Sequence, residues 1–343
     1  MRRLRVRVPP RALTEFTWRD GDRVVIFRAG LLAEAPAVLR EQDWTDYELL
    51  STPRALADAP SELSADGSVH EVPPGGVPAA SAAIADDVTA DSIVALGGGR
   101  VIDSAKAIAA VRDGRVCAIP TTLSGAPMTA IHRFPEGYDA PHRVRPSLVL
   151  ADPEAMTSPP EQQLRRTAMN ALAHGAESLY TPLANPVAEM AALRGAELIA
   201  IALERDRAAR DRGALALGAL LCGYAVDSAG FAIQHVLCQT VVRVCGTPHA
   251  DTYAAVLPRT MEAMRDRAPE AIASLAAALR TDPQRIGERI DALAGGPVRL
   301  GELGADHDLL GRVVEVAMQR TELARTPEPP SAEELAQLLE SAW

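Results

Sequence analysis

The sequence predicts an α/β domain built on a parallel sheet, followed by an all-α domain. Two observations carry this. Through the first 150 residues, short β-branched runs alternate with alanine-rich stretches of helical pattern, the order that yields a parallel sheet covered on both faces. From about Glu161 the texture changes to long Ala/Leu stretches with apolar residues three and four apart. With 343 residues, 48% of them hydrophobic, the chain can bury the cores of two ordinary domains.

At the N-terminus, Met1 to Val8 carries charge at alternating positions, which suits an exposed strand. No apolar run behind it has the length of a signal peptide or a membrane span, so a cytoplasmic protein without a membrane partner is expected. The predicted strands are Arg23 to Phe27, Tyr47 to Leu50, Ser92 to Leu96, Val116 to Ile119 and Leu148 to Leu150. Asp152-Pro153 and Ser158-Pro159-Pro160 mark a boundary, because a residue preceding proline is pushed out of the helical region, and domains of 1–155 and 156–343 follow. Helices are expected over Ala188 to Leu203, Gly213 to Val226 and Ala268 to Leu279.

A net charge of -10 and scattered arginines leave no concentrated basic surface for phosphodiesters, so a nucleic-acid partner is excluded. Cys117, Cys222, Cys238 and Cys245 lie in apolar surroundings without a Cys-x-x-Cys pair, which favours buried free thiols and a reducing compartment.

The run from Ile93 to Lys106 reads as a buried strand, three glycines (Gly97, Gly98, Gly99) and a helix. Such a turn lets a backbone approach a ligand closely and aims free N–H groups at a pyrophosphate, although a tight turn without a ligand has the same glycines. Asp103 and Lys106 follow, three apart on one side of the helix. One strand later comes a hydroxyl-rich loop, Pro120-Thr121-Thr122-Leu123-Ser124-Gly125-Ala126-Pro127-Met128-Thr129, suited to hydrogen-bonding ribose, phosphate or carboxamide, or equally to an N-cap and turn. Further on, Asn170 and His174 are four apart on a helix and face one way, while His235 and His249 come later, fourteen apart.

Together these segments resemble the iron-containing alcohol dehydrogenase superfamily, nearest its maleylacetate reductase branch. The glycine turn with Asp103 and Lys106, the Pro-Thr-Thr loop, Met169 to Tyr180 followed by Asn185-Pro186, and Gly246 to Pro258 appear in family order. The resemblance implies a Rossmann-like dinucleotide domain and a helical metal and substrate domain, the dehydroquinate synthase-like or iron-containing alcohol dehydrogenase fold, with the active site in the cleft between them and a homodimer. It implies an NAD(H)- or NADP(H)-dependent reductase of an unsaturated or carbonyl-bearing carboxylic acid.

In that reading Gly97, Gly98, Gly99, Asp103 and Lys106 hold the dinucleotide, and Thr121, Thr122, Ser124 and Met128 line its nicotinamide half. Ser51 and Thr52, at the end of an early strand, lie beside the adenosine ribose. No acid there repels a 2′-phosphate, so NADH and NADPH both stay open. His174, His235, His249 and Asn170 face the substrate as catalytic residues and form the family's metal position. Three imidazoles and an amide oxygen suit Fe²⁺ or Zn²⁺ acting as a Lewis acid, yet Asn170 replaces the only anionic ligand, so occupancy is open. Without a metal, the same histidines serve as proton donors and anchors.

Several positions depart from the family pattern. Arg100 replaces a serine, Ala126-Pro127 a Ser-Glu pair, and Gln239 and Tyr253 two histidines; the segment between Thr129 and Pro146 is shorter and crowded with His132, Arg133, His142, Arg143 and Arg145. Those five residues form either a solvated basic loop or a source of positive charge for an anionic ligand. The departures keep a second reading alive, a non-redox homologue catalysing elimination or cyclisation. A third, a silent binding subunit, leaves three clustered histidines without a purpose.

Overall fold

The computed structural model describes residues 15–64 and 68–343, so the strand expected over Met1 to Val8 lies outside the described residues. A seven-stranded sheet in the order β1-β2-β7-β6-β5-β3-β4 forms the N-terminal half. The strands are β1 (Phe16–Asp20), β2 (Arg23–Phe27), β3 (Glu48–Ser51), β4 (Val69–Glu71), β5 (Ser92–Gly97), β6 (Arg115–Pro120) and β7 (Leu148–Ala151). All neighbours pair in parallel except β1 and β2, which form an antiparallel hairpin at one edge. The five expected strands are present. β1 and β4 were not expected: β1 alternates exposed and half-buried positions, and β4 has three residues, too few to show a period.

Both faces of the sheet are covered, which explains the continuous apolar runs. Val94 and Leu96 of β5 pack on one side with Cys117 and Ile119, while Ile93 and Ala95 pack on the other with Val116, Ala118 and the helix Gly99–Arg112. At the hairpin edge, Val25, Phe27, Val149 and Ala151 join the core of the C-terminal helices, so sheet and helices share buried surface.

The helical half begins with Glu161–Ser178, Pro186–Leu203 and Arg212–Ala229, packed at backbone distance. A Cβ on Gly195 would lie 2.8 Å from the Gly218 carbonyl oxygen, and one on Gly218 would meet the Gly195 oxygen at 2.8 Å, so neither position accepts a side chain. Asn185 and Asp211 cap the second and third helices by accepting the N–H of Ala188 and Ala214. The expected helices over 188–203, 213–226 and 268–279 are all present, the last as Pro269–Ala278. Cys117, Cys222 and Cys238 are buried free thiols as expected, whereas Cys245, at a helix end, is only half-buried. Among the described residues no single helix is long and apolar enough to cross a membrane.

Glu161 ties the first helix to the loop ahead of the third. Its carboxylate accepts from Arg165 Nε at 2.6 Å and from both terminal nitrogens of Arg210 at 2.7 Å. The Arg210 hydrogen bonds lead the causes that lower its pKa to about 2. A depressed carboxylate pKa adds stability that is complete above the unfolded value of about 4.3 and lost as pH falls toward the folded value. Since the side chain is 34% exposed, Glu161→Gln should cost about 1 kcal/mol near neutrality after allowing for screening. Thermal melts of both proteins against pH should show that gap closing below about pH 4; a gap independent of pH would contradict the assignment.

Candidate active site

Parallel strands end on one side of the sheet, and the chain lays β3 and β4 to one side of β5 and β6 and β7 to the other. Where that order reverses, the loops after β3, β5 and β6 diverge and leave a crevice. A cleft of about 2060 Å³ occupies this place and extends to the helical half. Thr52, Gly98, Gly99, Arg100, Asp103, Thr121, Thr122 and Ser124 line one end; Asn170, His174, His235, Gln239, His249 and Tyr253 line the other.

The glycine turn fits an anion. Gly98 is the N-cap of the 14-residue helix Gly99–Arg112, and no side chain caps it, so the first N–H groups remain free. Nearby, the Ser124 hydroxyl and Arg100 Nε are buried without a hydrogen-bond partner. The neighbouring loop approaches closely: a Cβ on Gly98 would lie 3.2 Å from the Thr122 methyl, and one on Gly99 would lie 3.1 Å from Ser124, so a side chain at either position would press on that loop. These residues therefore fit a dinucleotide's pyrophosphate.

Four expected cofactor residues lie behind the wall of the cleft. Ser51 is buried and donates to the Leu96 carbonyl at 2.8 Å. Gly97 ends β5, with Val101 where its Cβ would be, and Met128 belongs to the core of the helical half. Lys106 is fully buried and pairs with Asp103 at 2.6 Å. Its ammonium also donates to the carbonyls of Ala126, Thr129 and Ile131 at 3.0–3.1 Å, so it staples the hydroxyl-rich loop from behind the cleft instead of making the expected nucleotide contact. Thr52 lines the cleft, while its hydroxyl accepts the Ala55 N–H.

The basic segment between Thr129 and Pro146 separates into two groups. Arg145 pairs with Asp227 and His142 with Asp113. His132 is buried, accepts the Val144 N–H at 3.0 Å, and is pushed down to about 4 by burial and the Lys106 charge, so it is neutral. Arg133 and Arg143 remain, and both line the cleft.

At the other end, Asn170, His174 and Glu177 share one face of the helix Glu161–Ser178. Glu177 was not singled out from the sequence, although its spacing of three from His174 put it on that face. It is fully buried, accepts the backbone N–H of Gln234 at 2.7 Å, and pairs with His235 Nδ1. That pairing assigns the Nδ1 proton to the carboxylate side and leaves Nε2, buried and without a partner, for the cleft. The His174 and His235 rings stack with centroids 4.8 Å apart. Burial, reinforced by His235, His249 and Lys106, holds His174 well below its ordinary value, so this ring is neutral. His249 lies against Tyr253, whose ring touches His235 edge-on.

A metal fits this end poorly. Asn170 Oδ1, His174 Nδ1 and His235 Nε2 are buried and unpartnered, as ligands would be. Yet the set has no anion, and among the described residues no three His, Cys, Asp or Glu side chains converge as a cage.

Lys106→Met should lower stability by about 3–5 kcal/mol, because it strands three carbonyls and a carboxylate. Chemical denaturation measures this, and a loss near zero would mean that the loop does not depend on the ammonium.

Sequence and structure comparisons agree with this geometry. The family model for iron-containing alcohol dehydrogenase matches residues 25–153, and that for the C-terminal part of the Fe-containing alcohol dehydrogenase family matches residues 165–343. Maleylacetate reductase 1 of Rhodococcus opacus is 34% identical over 74% of this chain and 73% of its own length. Maleylacetate reductase 2 of Cupriavidus pinatubonensis is 32% identical over 96% of this chain and 97% of its own. The crystal structure of maleylacetate reductase from Agrobacterium tumefaciens superposes with a TM-score of 0.81 at 29% identity, covering 96% of this chain and 97% of that one. The chain belongs to the iron-containing alcohol dehydrogenase family, close to its maleylacetate reductases, and is an oxidoreductase of that type.

Proposed function

We propose that the protein reduces a small unsaturated or carbonyl-bearing carboxylic acid with NADH or NADPH. The observation that carries this is the single cleft, which joins an uncapped glycine-turn helix to a buried cluster of polar groups without partners. The nicotinamide, when bound, supplies the hydride. The chain supplies an anchor for the pyrophosphate at Gly98, Gly99 and Arg100, and hydroxyls at Thr121, Thr122 and Ser124 for the nicotinamide half.

Reduction places negative charge on a substrate oxygen or carbon, and this charge needs a donor. His235 is the group placed to give one: Glu177 fixes its ring through Nδ1, and the unpartnered Nε2 is left to pass a proton to the substrate. Neutral His174 and the Asn170 amide orient the acid beside it. Gln239 does not titrate and stays in the role of a hydrogen-bonding wall.

Calorimetric titration with NADH and NADPH should give saturable binding of at least one of them, and no binding of either at millimolar concentration would contradict the reading. In a turnover assay that follows loss of the reduced nicotinamide, His235→Asn should lower kcat by about 10²–10⁴-fold while leaving nucleotide affinity intact. Glu177→Gln should act in the same direction, because it removes the carboxylate that fixes the ring. Full activity in both variants would assign the proton to another group.

A further inference from the structure

Three arginines from distant parts of the sequence meet at the substrate end of the cleft. Arg133 comes from the β6–β7 connection, Arg243 from the last turn of the helix Ile233–Cys245, and Arg320 from the segment after the helix Leu310–Met318. The helix Ile233–Cys245 sets their position relative to the chemistry. His235, Gln239 and Arg243 are spaced four apart and all line the cleft, so they form one stripe about 12 Å long.

Arg320 Nη2 donates to Gln239 Oε1 at 3.0 Å, in the middle of that stripe, and its Nε pairs with Glu322 at 3.1 Å. Its Nη1 is buried and has no partner. Arg133 and Arg243 have no ion pair among the described residues. One carboxylate therefore faces three guanidinium groups. Burial first, and then the charges of Arg133 and Arg320, push Arg243 below its ordinary value, with Glu322 acting against them. A cation at the end of a helix complements its dipole, but one is enough for that, and the other two belong to different segments.

We propose that Arg133, Arg243 and Arg320 form a subsite that holds the substrate's carboxylate and so sets specificity for acids over neutral carbonyl compounds. This rests on the reductase reading above. Guanidinium groups pair carboxylates with two parallel hydrogen bonds, and a desolvated unpaired donor such as Arg320 Nη1 gains most from one. The carboxylate is then held beside Gln239, where Arg320 donates, with the reacting carbon toward His235 one helical turn away.

The test uses the full chain and a matched pair of probes: levulinate and methyl propyl ketone share the carbonyl and chain length and differ only in the carboxylate. Calorimetry on the free protein should show levulinate binding at least about tenfold more tightly, as expected when a charge-assisted pair is gained. Arg133→Gln and Arg243→Gln, both at solvent-accessible positions, should each remove most of that preference, and the control Arg312→Gln, at an exposed helix position, should keep it. Equal affinity for the two probes, or a preference that survives both substitutions, overturns the proposal. So does a selective loss of NADPH affinity in the variants with the acid preference intact, which would assign the arginines to the nucleotide's extra phosphate. NADH titration of the wild-type protein is read separately, so a failed subsite and a failed reductase reading remain distinguishable.

Discussion

A buried ammonium holds the two halves of the site in register. Lys106 rises from the helix after the glycine turn, pairs with Asp103, and donates to three carbonyls of the loop after β6. A charge without solvent contact persists only when its hydrogen-bond capacity is used, so the loop has one permitted path. That path carries Gly125 against His174, where a Cβ would lie 2.8 Å from the ring, and Gly223 of the third long helix against Gly125. Through these contacts the sheet half sets the position of a histidine on the helical half. The cleft is a consequence of that registration.

The fold was legible where the period is strong and long. β2, β5, β6 and β7 are mostly buried runs that carry Val or Ile, β3 is a buried leucine pair between polar residues, and the long helices repeat their apolar positions over several turns. β1 escaped notice because Phe16–Asp20 is an edge strand with mixed exposure, and Val69–Glu71 is too short for any pattern to accumulate. The glycine turn and the loop Thr121–Ser124 were legible because glycine and hydroxyl residues cluster there for steric and hydrogen-bonding reasons.

The site was legible in part. Asn170, His174, His235 and His249 line one cleft, as the family resemblance implied, and helical spacing related Asn170 to His174. Lys106 was read with the wrong partner: residue type and helix face do not say whether an ammonium points to a ligand or to carbonyls of the next loop. Glu177 belonged to the same face as His174 and was recoverable from spacing. Arg243 and Arg320 carried no local signal, since single arginines in helices and connections are ordinary, and only the tertiary path brings them to Gln239.

The central claim is that one nucleotide binds across the glycine turn and reaches the histidines. Hydrogen–deuterium exchange of the full chain with and without saturating NADH or NADPH tests it most directly. The account predicts nucleotide-dependent protection of the amides around 97–104 and 121–126, together with the segment around His235. Protection confined to other surfaces, or none at saturation, would contradict it.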